Sequence, residues 1–187
     1  MMRVHRTAFA LTVAIGLAGA AMFAASADAA LPVGAKAPDF RTVGALGGKP
    51  FRLHLADQLK HGPVVLYFYP KAFTKGCTLE AKAFADAMPE FRKAGARVVG
   101  MSADDLETLK KFSVEHCRSV FPVATASAAT IKDYDVAMPM VNNVTAMTNR
   151  TSYVISKSGR IVMVHSDLDW KDHVAKTLAA VRALKAQ

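Results

Sequence analysis

The stretch Tyr69-Pro70-Lys71-Ala72-Phe73-Thr74-Lys75-Gly76-Cys77-Thr78-Leu79-Glu80 gathers a thiol, a hydroxyl and a carboxyl in a short length of chain. A thiol is a good nucleophile only as its anion. An ordinary cysteine near pKa 8.5 is about 3 % thiolate at pH 7, whereas one near 6 would be roughly 90 % ionised, a shift that takes about 3.4 kcal/mol of preference for the charge. A helix starting at Cys77 would contribute on the order of 0.3 to 2 kcal/mol of this through its free N–H groups and dipole. A cation must contribute the rest. Thr74 can bring its hydroxyl beside the sulfur, and Glu80, one helical turn beyond, can orient a basic partner but opposes the thiolate without one. The available chemistry is nucleophilic attack by Cys77, provided that a positive side chain arrives from elsewhere.

A strand and a helix are needed to hold these groups. The run from Pro63 to Tyr69 is continuously apolar and β-rich, as in a strand buried on both faces, and Pro70, with no N–H to give a ladder, ends it. From Cys77 to Arg92 the apolar residues Leu79, Ala83, Phe84, Ala87, Met88 and Phe91 recur at three- and four-residue spacing, with Gly95 placed to close a helix. Cys77 is therefore expected at a helix start just past the carboxyl end of a central strand, where open α/β sheets carry their sites. Upstream, Phe40–Val43 and Phe51–Leu55 are predicted to pair across Gly47-Gly48 as a hairpin. Downstream, the pattern predicts a strand over Arg97–Met101, a helix from about Asp104 to His116 with both aspartates at its positive end, a strand over Phe121–Ala124 and a short helix around Thr130–Tyr134. It closes with a hairpin of Arg150–Ser156 and Arg160–His165 and a helix over Trp170–Leu184, whose apolar face is Val174, Leu178, Val181 and Leu184. This order predicts an α/β domain of thioredoxin-like fold: a mixed central sheet with helices on both faces and an N-terminal β-hairpin.

The pattern Pro70-x-x-x-Thr74-x-x-Cys77, after a strand ending Tyr67-Phe68-Tyr69, resembles the active-site signature of the peroxiredoxins. The similarity runs from Ala35-Lys36-Ala37-Pro38-Asp39-Phe40 to the closing hairpin and is nearest to the bacterioferritin-comigratory-protein branch. The resemblance implies a thiol-dependent peroxidase that reduces hydrogen peroxide and organic hydroperoxides, Cys77 becoming a sulfenic acid, with no metal or organic cofactor. It implies that Thr74 hydrogen-bonds the peroxide, that Pro70 shields the pocket from water, and that Arg150, in Asn149-Arg150-Thr151-Ser152-Tyr153, is the missing cation. A permanently charged planar fork suits that task. It further implies a thioredoxin-like or small-thiol reductant and a monomer or homodimer.

Closely similar proteins often carry a resolving cysteine five positions after the nucleophile, and Lys82 stands there instead. Cys117 is the remaining candidate. It shares a helical stripe with Leu109 and Ser113, so an inert core thiol and a one-cysteine cycle with an external reductant stay open beside resolution. Pairing Cys77 with Cys117 is expected to require unwinding of the helix start, because a disulfide needs Cα atoms within about 7 Å.

Residues 1–29 are read as a secretory signal and 30–187 as one domain. Arg3 and Arg6 precede an uncharged apolar run, Ala8 to Ala25, and Ala27-Asp28-Ala29 offers a cleavage site, so the expected location is periplasmic or secreted, without stable membrane association after cleavage. The net charge of +9 falls to +8 as two arginines and one aspartate leave. The basic residues are scattered rather than interleaved with aromatics, which argues against nucleic acid as a partner. His54, His61, His116, His165 and His173 have no metal-triad spacing and are expected to be structural or solvated; Met138, Met140 and Met147 are expected to pack. Asn143-Val144-Thr145 and Asn149-Arg150-Thr151 match the glycosylation pattern, relevant only in a eukaryotic secretory route. Because exported pairs of cysteines are by default structural, a non-enzymatic thioredoxin-like domain with a permanent disulfide, or a disulfide oxidoreductase, is the competing expectation.

Overall fold

The computed structural model describes residues 30–138 and 147–186. The predicted signal, Met140 and the Asn143–Thr145 pattern lie outside them. The central strand β3, Val64–Phe68, is buried at every position. Parallel β4 (Arg97–Ser102) flanks it on one side and antiparallel β6 (Thr151–Ile155) on the other. With β1 (Arg41–Leu46), β2 (Lys49–His54), β5 (Val123–Thr125) and β7 (Ile161–Ser166), the sheet runs β2-β1-β5-β4-β3-β6-β7. It is mixed, as expected of the thioredoxin-like fold. Gly47 and Gly48, both at positive φ, make the two-residue turn between β1 and β2, a conformation that matches the twist of paired strands.

Helices cover both faces. On one, α2 (Lys75–Lys93), α3 (Leu106–Glu115) and α5 (His173–Lys185) bury Phe84, Phe91, Phe112 and Val181 against Val65, Tyr67 and Tyr69. On the other, α1 (Leu55–Leu59) and α4 (Ala128–Asp133) pack Leu55, Leu59 and Ile131 with Leu66, Phe68 and Tyr153. Tyr67 stacks on Phe84 with centroids 4.3 Å apart, and Tyr69 stacks on Phe112 at 5.5 Å. Such offset aromatic pairs add about 0.5 to 1.5 kcal/mol each beyond their buried area.

Several local expectations need correction. Helix α1 was not anticipated: five residues are too few for an apolar period, although Leu55 and Leu59 mark its buried side. Helix α2 begins at Lys75 rather than Cys77, because Lys75 and Gly76 carry no apolar signal, and it ends as anticipated in a glycine cap, with Gly95 N–H donating to Arg92 O and Ala96 N–H to Phe91 O. Only Asp105 caps α3, accepting from Thr108 N–H at 2.8 Å. Asp104 is drawn into the site instead. The last helix is split, since Trp170–Asp172 forms a 3-10 turn whose N-cap Asp169 accepts from Lys171 N–H. Its fully buried line is His173, Thr177 and Val181, with Val174 and Leu178 at the margin, so the face is rotated from the expected one.

Candidate active site

The loop that leads from β3 to Cys77 is fixed at three points. Asp104 Oδ2 accepts from Ala72 N–H at 2.7 Å and from Ser102 Oγ–H at 2.8 Å. Thr148 Oγ–H donates to Tyr69 O at 2.7 Å. Phe73 then packs edge-on against Phe112 and His116 of the α3 end, at 5.3 and 5.4 Å, while held at φ 64 in the left-handed region. The loop is thus clamped between the ends of β4 and α3 before the chain turns into α2.

Thr74 is the N-cap of α2, so Cys77 lies in the first turn, where backbone N–H groups have no intrahelical acceptor and the dipole favours an anion. Cys77 is 1 % exposed. Arg150, immediately before β6, reaches it from across the sheet: Nη2 donates to Cys77 Sγ at 3.4 Å, Nη1 donates to Glu80 Oε2, and Nε donates to Leu168 O at 2.9 Å. Arg150 is 5 % exposed and Glu80 fully buried. Burial opposes the Arg150 charge, but Glu80 and Cys77 outweigh it. Burial pushes the Glu80 carboxyl up to about 8, with Arg150 pulling the other way.

Three expected site residues are thereby placed around one point. Arg150 touches both Cys77 and Glu80, whereas Thr74, exposed at the helix cap three residues before the thiol, donates its hydroxyl to Lys71 O at 2.9 Å. Pro70, two residues beyond the end of β3, is half-buried. Cys117 lies just beyond α3, fully buried in the same cluster as Cys77, and both thiols are free. Burial pushes the Cys117 thiol far up. Tyr67 and Tyr69 neighbour both sulfurs: burial first, then Cys117, with Cys77 adding to it, raises their hydroxyls well above the ordinary range.

Sequence reasoning missed Gly76, Ser152, Leu168 and His173. A Cβ built on Gly76 would sit 3.2 Å from Arg150 Nη2, so the guanidinium reaches the sulfur over a bare backbone. A glycine in a helical first turn, where alanine would be better by about 1 kcal/mol, is the signal that could have exposed it. Gly76→Ala is accordingly expected to hold or raise the thermal midpoint while slowing peroxide consumption about tenfold, roughly the effect of 1.4 kcal/mol lost at the transition state. Unchanged turnover in stopped-flow would show that the guanidinium has slack. His173, counted among structural or solvated histidines, is fully buried and reaches the same cluster; the His173, Thr177, Val181 line of i and i+4 positions would have pointed to it.

Over residues 33–164 the chain matches the AhpC/TSA family. It is similar to the chloroplastic peroxiredoxin Q of Sedum lineare, 32% identical over 139 residues that cover 74% of this chain and 72% of the relative. A putative peroxiredoxin of Mycobacterium tuberculosis is 33% identical over 141 residues, 74% of this chain and 89% of its own. Among solved structures, the crystal structure of peroxidoxin BcpB from Mycobacterium tuberculosis superposes with a TM-score of 0.71 at 34% identity, covering 81% of this chain and 97% of that one. Peroxiredoxin Q of Xanthomonas campestris gives a TM-score of 0.66 at 28% identity, over 76% and 90%.

Proposed function

Because the chain belongs to the AhpC/TSA family, as a peroxiredoxin of the bacterioferritin-comigratory and Q branch, and is a thiol-dependent peroxidase, we propose that Cys77 is its peroxidatic nucleophile. The observation that carries the assignment is Arg150 Nη2 at 3.4 Å from the Cys77 sulfur. In the proposed step the Cys77 thiolate attacks one oxygen of a hydroperoxide; an S–O bond forms as the O–O bond breaks, and the leaving oxygen takes a proton to depart as water or an alcohol. Sulfur is oxidised to sulfenic acid and the peroxide is reduced. Charge grows on the leaving oxygen, where the Arg150 guanidinium and the Cys77 N–H are the donors at hand, while the Thr74 hydroxyl, whose hydrogen goes to Lys71 O, is assigned to accept from the peroxide O–H. Pro70 is assigned to keeping water from the pocket.

Cys117 is the resolving thiol in this reading: it attacks the sulfenic sulfur, a disulfide forms and water leaves, and an external thiol reductant then restores both cysteines. Support comes from the shared cluster and from backbone strain. Phe73 before Cys77, and Arg118 and Ser119 after Cys117, are non-glycine residues at φ 64, 51 and 56. Each left-handed residue stores on the order of 1 to 3 kcal/mol, which unwinding of the two segments releases. Their tethers, Phe73 on His116 and the Arg118–Asp86 ion pair, are side-chain contacts near the surface that can be given up. One equivalent of hydrogen peroxide added to reduced protein should give a single intramolecular Cys77–Cys117 disulfide in a non-reduced digest. Sulfenic Cys77, over-oxidised once peroxide is in excess, beside free Cys117 would assign resolution to the external thiol instead.

Residues 1–29 are assigned to export, on the strength of Arg3 and Arg6, the apolar run and Ala27-Asp28-Ala29. The protein then works outside the cytoplasm, where its reductant must also be found.

A further inference from the structure

We propose that His173 is a positioning residue of the peroxidase centre, a neutral buried histidine that holds at one end of its ring the turn from which Arg150 is hung and faces at the other the outer oxygen of Glu80. The inference rests on the assignment of Cys77 and Arg150 above and adds the group that sets how far the guanidinium reaches. Nothing in the mechanism yet uses this ring, although it is fully buried at the start of α5.

The ring's protonation follows from its partners. His173 Nε2 lies 2.9 Å from Asp167 O, a carbonyl that can only accept, so Nε2 carries the hydrogen. Burial keeps the ring neutral by pushing it down to about 4. Nδ1 is then a lone pair, and Ser152 Oγ–H donates to it at 2.8 Å. The groups facing the ring are Glu80 from α2, Arg150, Asp167 and the His165 ring of β7, whose centroid is 4.5 Å away, with Lys176 beyond it.

Two routes lead from the ring to the guanidinium. In the first, the turn that His173 holds by Asp167 O also receives Arg150: Asp167 N–H donates to Arg150 O at 3.1 Å, and Leu168 O accepts from Arg150 Nε at 2.9 Å. Without the His173 bond, the turn is exposed at Asp167, Leu168 and Asp169 and is left with its two bonds to Arg150 and the local Asp169 N–H to Asp167 Oδ1 bond. In the second, Glu80 Oε1 is buried with no hydrogen-bond partner among the described residues and lies 3.8 Å from His173 Nδ1. At that distance the ring and the oxygen are in van der Waals contact, and the ring closes this side of the carboxyl to water. That burial raises the carboxyl to about 8, and a neutral Glu80 leaves the single positive charge of Arg150 to the sulfur rather than divided between two anions.

The test compares His173→Ala, His173→Asn and His173→Gln in the reduced chain by three readouts: oxidation by hydrogen peroxide, alkylation by iodoacetamide, and the thermal midpoint. Alkylation reports the thiolate independently of peroxide activation, and Cys117, buried and far from ionising, stays silent. His173→Ala and His173→Asn are expected to slow both reactions of Cys77 about tenfold at pH 7. His173→Gln, whose amide can still donate to Asp167 O, should recover most of the loss. Wild-type rates in a folded Ala or Asn variant, whatever its midpoint, would overturn the proposal, as would a folded Gln variant no faster than Asn. Should the Ala variant not fold, Asn against Gln decides. Cys77→Ser serves as the control: if it still consumed peroxide, the nucleophile assignment itself would fall, an outcome distinct from unaltered His173 variants.

Discussion

Cys77→Ser is expected to reduce peroxide consumption to that of buffer while moving the thermal midpoint by no more than about 3 °C. Serine keeps nearly the volume of cysteine, so the 1 % exposed site is neither emptied nor overfilled, and a change near 1 kcal/mol corresponds to about 2 to 4 °C in a domain of this size. What is lost is chemical. A serine hydroxyl does not ionise beside Arg150 at working pH, and its oxygen has no accessible higher oxidation state to accept the peroxide oxygen. A scaffold role for the two cysteines predicts the reverse, because losing a native disulfide typically costs about 2 to 5 kcal/mol. Both thiols are free in the structure. Stopped-flow peroxide decay together with thermal unfolding of the same variant separates the alternatives: full activity in Cys77→Ser, or a collapse of stability, would sink the assignment.

Replacement of Arg150 should be the second largest effect. Arg150→Met keeps the length of the side chain but removes the donor at 3.4 Å from the sulfur and the positive charge that stabilises the thiolate. Losing one preorganised donor at a charge-developing centre costs about 10²- to 10³-fold in rate, and that is the expected fall in peroxide kcat/KM. Arg150→Lys should recover little, since a single ammonium cannot meet the sulfur, Glu80 and Leu168 O at once, as the fork does. The variant also strands Glu80, and an unpaired buried charge costs about 3 to 5 kcal/mol, less here because burial already raises that carboxyl to about 8 and it can take a proton. The double variant Arg150→Met, Glu80→Gln resolves the ambiguity. Stability should return without activity; return of both would mean that Arg150 serves the fold and not the reaction.

The sequence by itself determined those parts of the molecule whose physical cause is local. A short apolar run without alternation, rich in β-branched and aromatic residues and bounded by Gly62-Pro63 and Pro70, reads as a strand buried on both faces, which pointed to β3 at the centre. The three- and four-residue period after Cys77, closed by Gly95, fixed α2, and the short Thr74 to Cys77 spacing put a hydroxyl and a thiol on one helix start. Hence the fold class and the place of the Cys77 thiol in the first turn of a helix were legible. Arg150 could be named from the resemblance alone, because nothing near position 150 in the chain announces that β6 lies beside β3.

What only the tertiary structure decided are contacts between residues far apart in sequence. Asp104 left its expected helix because Ala72 N–H, brought to it by the sheet, joins the neighbouring Ser102 Oγ–H in offering a better use for its carboxylate than a helix end. Gly76 matters because of a guanidinium that arrives 74 positions later in the chain, closing to 3.2 Å of where a Cβ would be. His173 and Glu80 meet because α5 crosses α2, and each becomes buried and shifted in charge only there. Periodicity encodes which side of an element faces inward, but the energy of a buried ion pair depends on distance and desolvation, and those exist only once the strands have been ordered in space.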